Sequence, residues 1–297
     1  MTLPSYLEDQ LISLPGTDRQ RTLRIWNPTG RKALIVGIHG GMSHSGDYAT
    51  VGEFFKSRDI VTLSVDLAGH GEQKRILLTD FDAFLDDVEA MLEFAATRFP
   101  ALPVFITGHS MGGLIAAHFA LSERAQRWQV RGMILSSPYF ANAIPVPRVL
   151  VVLSGILSTL LPRAKVPMES VTNVLTRDPE ITMRHHQDEA LQRRASEASF
   201  GFGHALLEAQ ARLRKHGAWK QLPVFAAIAG NDKLADSAVA IEWLKKIDGH
   251  LLTLRHFPEH FHENFNEPDR DLLFADILAW MNALLEPALQ MATGDRA

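Results

Sequence analysis

The stretch VFITGHSMGGLIAAHFAL, Val104 to Leu121, decides how this chain folds. Its first run is short, apolar and β-branched, as a buried strand is. Its second places Leu114, Ala117, His118 and Leu121 at helical spacing. Where they meet, Gly108-His109-Ser110-Met111-Gly112 pins a serine between two glycines. Strand, tight turn and immediate helix are the context that a Gly-x-Ser-x-Gly nucleophile requires. Gly108 and Gly112 keep bulk out of the turn, His109 shapes it, and Ser110 stands clear at the strand's end. The helix N-terminus beneath offers N–H groups and a dipole that favour a developing negative charge. A serine N-cap after a buried strand is the simpler alternative; the paired glycines in this context favour the nucleophile.

Outward from this stretch, short apolar runs alternate with helical patterns. Arg21–Trp26, Ala33–Gly40, Ile60–Asp66, Pro103–Ser110, Val130–Ser137, Pro223–Gly230 and His250–Phe257 read as strands. Each is near-continuously apolar, as strands covered on both faces are. Leu14–Asp18 reads as a hairpin turn before the first. Helices are expected over Phe81–Phe99, Gly113–Ala125, Ser237–Ile247 and Asp269–Leu285, with Phe84, Val88, Met91, Leu92 and Ala95 on one face of the first. The alternation predicts an α/β fold, a mostly parallel, doubly wound sheet with helices on both faces. It breaks once. From Pro138 to about Trp219 there is no convincing central strand, only helical patterns, prolines and a charged patch. Such an insertion lies above the carboxyl ends of the strands, where open α/β sheets keep their sites, and covers them as a lid.

Composition narrows the function. The 297 residues are 46% hydrophobic and 22% charged, with a net charge of −4 and no sustained basic run, which speaks against a nucleic-acid partner. No cysteine is present, so disulfides, thiolate nucleophiles and Cys-ligated metals are excluded. The N-terminus lacks the pattern of a signal peptide. The longest apolar stretch, Val146 to Pro162, falls short of the roughly 20 residues a membrane span needs. A cytoplasmic protein is expected.

A serine needs a base, and the base an orienting carboxylate. On a sheet of this kind they follow in the order Ser, Asp or Glu, His. Asp232, in AGNDKLAD, sits at the carboxyl end of the Pro223–Gly230 strand. Asp236 begins a helix and Asp248 precedes a strand at its far end, so Asp232 is the better candidate. His260 and His262 both lie in the loop after the last strand, and position alone leaves them tied. The oxyanion needs two N–H donors: that of Met111, after the nucleophile, and one from HGGMSHSGDY, assigned to Gly41.

The blocks HGGMSHSGDY, DLAGHGEQ, GHSMGG, LTRDPE, AGNDKLAD and HFHENFNEPDRDLLFADILAWM, in that order, resemble the monoacylglycerol lipase and lysophospholipase group of α/β-hydrolases, the serine aminopeptidase S33-like hydrolases. The likeness runs from about Thr22 to about Leu285. It implies the α/β-hydrolase fold with about eight strands, a core of residues 1–137 and 205–297, and a helical cap over 138–204. It implies hydrolysis of a carboxylic ester without a cofactor, monoacylglycerol and lysophospholipid being the best-known substrates. The family's catalytic residues fall on Ser110, Asp232 and His262. The tie is broken because the family's histidine is followed by an acidic residue and a nearby NEP, here Glu263 and Asn266-Glu267-Pro268. The oxyanion position falls on Gly41. Ala68 replaces the usual basic residue before Gly69, and Gln73 replaces a frequent serine.

Other readings have their own signals. His185, His186 and Asp188, or His256, His260 and His262, are candidate metal ligands, but His-Glu-x-x-His fails because position 266 is Asn, and no metal is expected. His39 orients or underlies the glycine loop, and Gly69-His70-Gly71 reads as a turn. An aminopeptidase would need a carboxylate for the substrate amine, with Glu169, Glu180 and Asp188 on offer. A non-catalytic binding protein would keep the fold and sense a ligand under the cap. The run Val149 to Leu161 suits an acyl tunnel, transient contact with a lipid surface, or the buried face of a lid helix.

Overall fold

Seven apolar runs become strands of one sheet, and helices press on both of its faces. A computed structural model describes residues 8–13, 20–71, 80–168 and 170–294. The expected turn at Leu14–Asp18, together with Glu169 and Gln73, lies outside them. The strands are β1 (Glu8–Ser13), β2 (Gln20–Trp26), β3 (Ala33–Ile38), β4 (Ile60–Val65), β5 (Val104–His109), β6 (Val130–Ser136), β7 (Lys165–Pro167), β8 (Glu197–Ser199), β9 (Val224–Ala229) and β10 (Leu252–Phe257). Eight of them form a sheet in the order β1-β2-β4-β3-β5-β6-β9-β10. The pairs β1–β2 and β2–β4 are antiparallel, and the rest are parallel.

Alternation along the central strands sorts side chains into two cores. Leu34, Val36 and Ile38 of β3 belong to one core, to which α2 (Asp82–Arg98), α3 (Met111–Leu121) and α7 (Ser237–Leu244) contribute Phe84, Met91, Leu114 and Trp243. Ala33 and Ile35 belong to the other core, to which α1 (Ala49–Lys56) and α8 (Arg270–Gly294) contribute Phe55, Phe274 and Met281. Helix α1 follows no pattern singled out in the sequence. Helix α3 begins two residues earlier than expected, directly after Ser110. It ends at Leu121 because Ser122 turns extended (φ −86°, ψ 158°), and a separate 3-10 turn carries the chain over Glu123–Arg127.

The last strand corrects an expectation. His250–Phe257 reads as apolar enough to be covered on both faces, but β10 begins at Leu252 and pairs with β9 at the sheet's edge. Arg255 and His256 there are exposed, and Arg255 Nε donates to Asp276 Oδ2 at 3.0 Å. Charges on an edge strand discourage pairing with other chains.

Between β6 and β9 the chain leaves the sheet. It forms α4 (Arg148–Leu160), β7, α5 (Pro179–Ala190), β8 and α6 (Phe200–Lys215), with β7 and β8 as a small antiparallel pair. Helix α6 runs across residue 204 and touches both α4 and α3. None of α4 is fully buried. Among the described residues, no helix is long and apolar enough to cross a membrane.

Candidate active site

Strand β5 lies inside the sheet between β3 and β6, so its carboxyl end opens at the middle of the molecule. There the chain turns so sharply that Ser110 adopts φ 54°, ψ −118°, a conformation that L residues rarely take. Its neighbours hold it: the Ser110 N–H donates to Ser136 O at 2.9 Å, and Ser110 O accepts from the N–H groups of Gly113, Leu114 and Tyr139. A Cβ on Gly108 would sit 2.3 Å from Gly112 O, and one on Gly112 would sit 1.9 Å from Ile38 O. Backbone approaches backbone at both places, so side chains have no room.

Three side chains from far apart in sequence meet at this turn. Ser110 Oγ lies 2.7 Å from His262 Nε2, and His262 Nδ1 donates to Asp232 Oδ2 at 2.8 Å. Asp232 follows β9, and its Oδ1 accepts from the N–H groups of Leu234 (2.8 Å) and Ala235 (2.9 Å). Burial raises the Asp232 carboxyl, but the His262 imidazole and these N–H groups outweigh it, and the net shift is downward. Asp232 is therefore ionised, with one oxygen fixed by backbone and the other free to orient the ring.

The competing groups point elsewhere. Asp236 caps α7 through the Val239 N–H (3.0 Å), and Asp248 bonds His250 at the surface. His260, tied with His262 on position alone, contacts Asn264 Oδ1 and Asp269 Oδ1 and stacks on Phe257. His109 packs its ring 4.8 Å from that of His262, and burial followed by that neighbour pushes it down to about 4. It is neutral and shapes the turn. His186 bonds Asn173 and Glu189 on the exposed face of α5, while His256 is exposed on β10.

The glycine loop after β3 lies against the elbow. A Cβ on Gly40 would be 3.4 Å from Ser110 Cβ, and one on Gly41 would be 3.7 Å from Met111 Sδ. The second is ordinary contact, so position 41 has space for a small side chain. His39 sets the loop: its Nδ1 donates to Gly40 O at 2.7 Å and its Nε2 accepts from the Leu67 N–H at 3.0 Å. Among the described residues, the N–H groups of Gly41 and Met111 donate to no protein acceptor.

With this geometry in place, relatives can be considered. Residues 29–269 match the family model described as serine aminopeptidase, S33 (Hydrolase_4). The chain belongs to the S33 family. It is 30% identical to a protein named phospholipase YtpA from Bacillus subtilis (84% of this chain, 95% of that one). It is also 30% identical to the human protein named monoglyceride lipase (87% and 86%). A solved soluble variant of monoglyceride lipase from Saccharomyces cerevisiae, in complex with a substrate analog, superposes with a TM-score of 0.81 at 18% identity, covering 96% of each chain. The architecture is the α/β-hydrolase fold.

Around the S33 elbow lie Asn264, His44 and Asp47, to which the sequence patterns assign no role, beside Glu267 and Asp188, which they single out. Asn264 Nδ2 donates to Ser137 Oγ (2.9 Å), directly after β6, and to Ala227 O of β9 (3.2 Å), tying the His262 loop to the end of β6 and to β9. The fully buried Glu267 accepts from the Phe261 N–H (2.8 Å) and Arg177 Nε (2.7 Å), which gives the NEP segment a structural reason. Among the described residues, His44, Asp47 and Asp188 bring three possible metal-ligand atoms within 4.8 Å of one another. However, His44 Nδ1 accepts from the Gly46 N–H, so Nε2 bears the proton and faces Asp188 at 3.3 Å, while Arg194 occupies Asp47. The three side chains take part in one cluster of charged groups with Arg194.

Three buried imidazoles near the S33 site make stability depend on pH. Burial, reinforced by His70, pushes His39 down to about 3; burial pushes His70 and His109 down to about 4. The unfolded chain, with histidines near about 6.5, binds more protons between about pH 6.5 and 4. The stabilisation is therefore complete above that window and is lost as pH falls through it, each ring giving up about 1.4 kcal/mol for every pH unit crossed. Asp87 opposes this, since burial raises it to about 7 despite Arg21 at 2.9 Å, and so it favours the folded state at lower pH. Three rings outweigh one carboxyl. Thermal melts are expected to show a lower Tm at pH 5 than at pH 7; a higher Tm at pH 5 would contradict this balance.

Proposed function

We propose that this chain is a serine hydrolase of carboxylic esters, acting on acyl esters of lipid type, with monoacylglycerol the favoured substrate. The observation that carries the reading is the continuous contact from Ser110 Oγ to His262 (2.7 Å) and on to Asp232 (2.8 Å). His262 Nε2 takes the hydroxyl proton as Ser110 attacks the ester carbonyl, and ionised Asp232 stabilises the imidazolium that forms. The N–H groups of Met111 and Gly41 receive the oxyanion, each contributing about 3–4 kcal/mol to the transition state. His262 then protonates the leaving alcohol, and water, activated by the same ring, hydrolyses the acyl-enzyme.

The lipid class is supported by relatives named phospholipase and monoglyceride lipase. Aminopeptidase action would need a carboxylate free to hold an amine. Asp188 is engaged by His44 and Arg193, and Glu180 lies exposed on the first turn of α5. A hydrolysis panel tests the assignment: monoacylglycerols, lysophospholipids, short p-nitrophenyl esters and aminoacyl arylamides. Monoacylglycerols should give the highest kcat/KM. Preference for lysophospholipids would move the substrate within the class, and preference for arylamides would overturn the ester reading.

Residues 138–204 act in this reading as the cap, and α4 as its contact with a lipid surface. Val149, Val152 and Leu160 are 71%, 65% and 70% exposed, and Arg148 is the sole charge on the helix. A clustered apolar face of this kind marks an interaction site. Val149→Asp with Val152→Asp should reduce sedimentation with phosphatidylcholine vesicles at least tenfold while leaving p-nitrophenyl acetate turnover within twofold. Unchanged sedimentation would remove α4 from that role.

A further inference from the structure

Arg194 and His185 belong to the insertion, yet both are buried where it meets the two loops that carry the proposed chemistry. Arg194 Nη1 donates to Asp47 Oδ2 at 2.7 Å and to His185 Nδ1 at 2.8 Å, and its Nη2 donates to Glu263 Oε1 at 3.3 Å. His185, its Nδ1 so occupied, donates from Nε2 to Glu263 Oε2 at 2.8 Å. Glu263 directly follows His262. Asp47 closes the loop that begins with Gly40 and Gly41, and it accepts from Ser43 Oγ within that loop.

Backbone contacts repeat the pattern. The N–H of Ala195, the residue after Arg194, donates to Met42 O at 3.0 Å. Met42 follows Gly41 and holds φ 62°, a conformation that needs outside support in a non-glycine residue. His44 of the same loop faces Asp188 of α5, and the Glu263 N–H donates to Leu175 O at 2.8 Å. The insertion thus grips both loops at once, with a guanidinium bridging one carboxylate from each.

We propose that Arg194, seconded by His185, is a positioning residue that aligns His262 and the Gly41 N–H with Ser110 when the insertion is docked. This rests on the roles proposed above for those three residues. The planar guanidinium spans two carboxylates at fixed geometry, which a lysine ammonium cannot do. Arg184 lies 3.8 Å from Asp47 and Arg193 lies 3.3 Å from Asp188, each reaching one carboxylate of the cluster, whereas Arg194 reaches one from each loop. Without Arg194, Asp47 and Glu263 lose the guanidinium that bonds both, keeping Arg184 at 3.8 Å from Asp47 and the His185 ring, and their loops separate. Displacement of the base and the oxyanion donor by even about 1 Å costs on the order of 100-fold in rate. The cap in this account completes the machinery as well as covering it.

The test compares wild type, Arg194→Met, Arg194→Lys and His185→Gln on p-nitrophenyl acetate, a substrate too short to report on acyl binding. Rates are normalised to the serine titrated at the end point by a fluorophosphonate. Lys165→Met is the control, since it removes another ion pair of the same insertion, Lys165–Glu197 at 2.6 Å, and leaves Asp47, Glu263 and Arg194 in place. Arg194→Met is expected to lower kcat 30- to 100-fold with KM within about threefold, and Arg194→Lys to recover little of it. A purely structural role would lower Tm and leave kcat per titrated site unchanged. That result, a loss confined to KM, or full recovery in Arg194→Lys overturns the proposal. If Arg194→Met does not fold, His185→Gln carries the test: about a tenfold fall in kcat supports positioning, and unchanged kcat overturns it. Wild type without Ser110-dependent turnover would instead sink the reading of the site, and the proposal with it.

Discussion

Ser110→Ala should reduce ester turnover by about 10⁵- to 10⁶-fold while the protein stays folded. The loss is large because the nucleophile, base and orienting carboxylate act as a unit, and removing the attacking oxygen leaves only binding and the oxyanion donors. Folding survives because alanine deletes one atom. The bonds that hold the strained turn run through the Ser110 backbone: its N–H to Ser136 O, and its O to the N–H groups of Gly113, Leu114 and Tyr139. Turnover of a p-nitrophenyl ester, a thermal melt and fluorophosphonate labelling check this together. Wild type should label at Ser110 and the variant should not. Retention of more than about 1% of kcat in the folded variant would remove Ser110 from the chemistry, and an unlabelled wild type would favour a ligand-binding protein on the same fold.

Asp232→Asn should lower kcat by about 10⁴-fold, with a melting temperature close to that of wild type. Its Oδ1 can still accept from Leu234 and Ala235, so the loop keeps its shape. The other end of the amide is the problem. Where the carboxylate accepts the His262 Nδ1 proton at 2.8 Å, an amide NH₂ would donate instead and turn the ring to the tautomer that cannot take the Ser110 proton. Asp236→Asn is the matched control. That residue caps α7 through the Val239 N–H, and asparagine caps helices as well as aspartate, so kcat should stay within twofold. If the two variants behaved alike, the choice of Asp232 over Asp236 would be wrong.

Some residues are legible without any knowledge of the fold, and the difference is physical. Ser110 announces itself because its requirements are local: a β-branched run, two glycines and a helical repeat lie within eighteen residues. Asp232 follows from its place at a strand's carboxyl end. His260 and His262, two residues apart on one loop, cannot be separated on those grounds, and the family likeness chooses between them. The structure gives a reason: Asn264 and Asp269 hold His260 away from the elbow. Strand β10 departs from expectation for a related cause, since an apolar run records hydrophobicity but not which strand has a neighbour on each side.

The amino-acid sequence by itself determined the strands β2 to β6, β9 and β10, the helices α2, α3, α7 and α8, the turn at Ser110, the break in the alternation before Pro223 and membership of a family, because each is written in short periodic patterns or contiguous blocks. The contacts around Glu263 were decided by the tertiary structure alone. Arg194 meets Asp47 across 147 positions and Glu263 across 69. No repeat or spacing links them, and in the chain Arg193-Arg194 reads most simply as a solvated face, whereas Arg194 is buried. Burying a charge is favourable only when its partners arrive from elsewhere in the fold, so these residues acquire their meaning once the insertion has closed on the core.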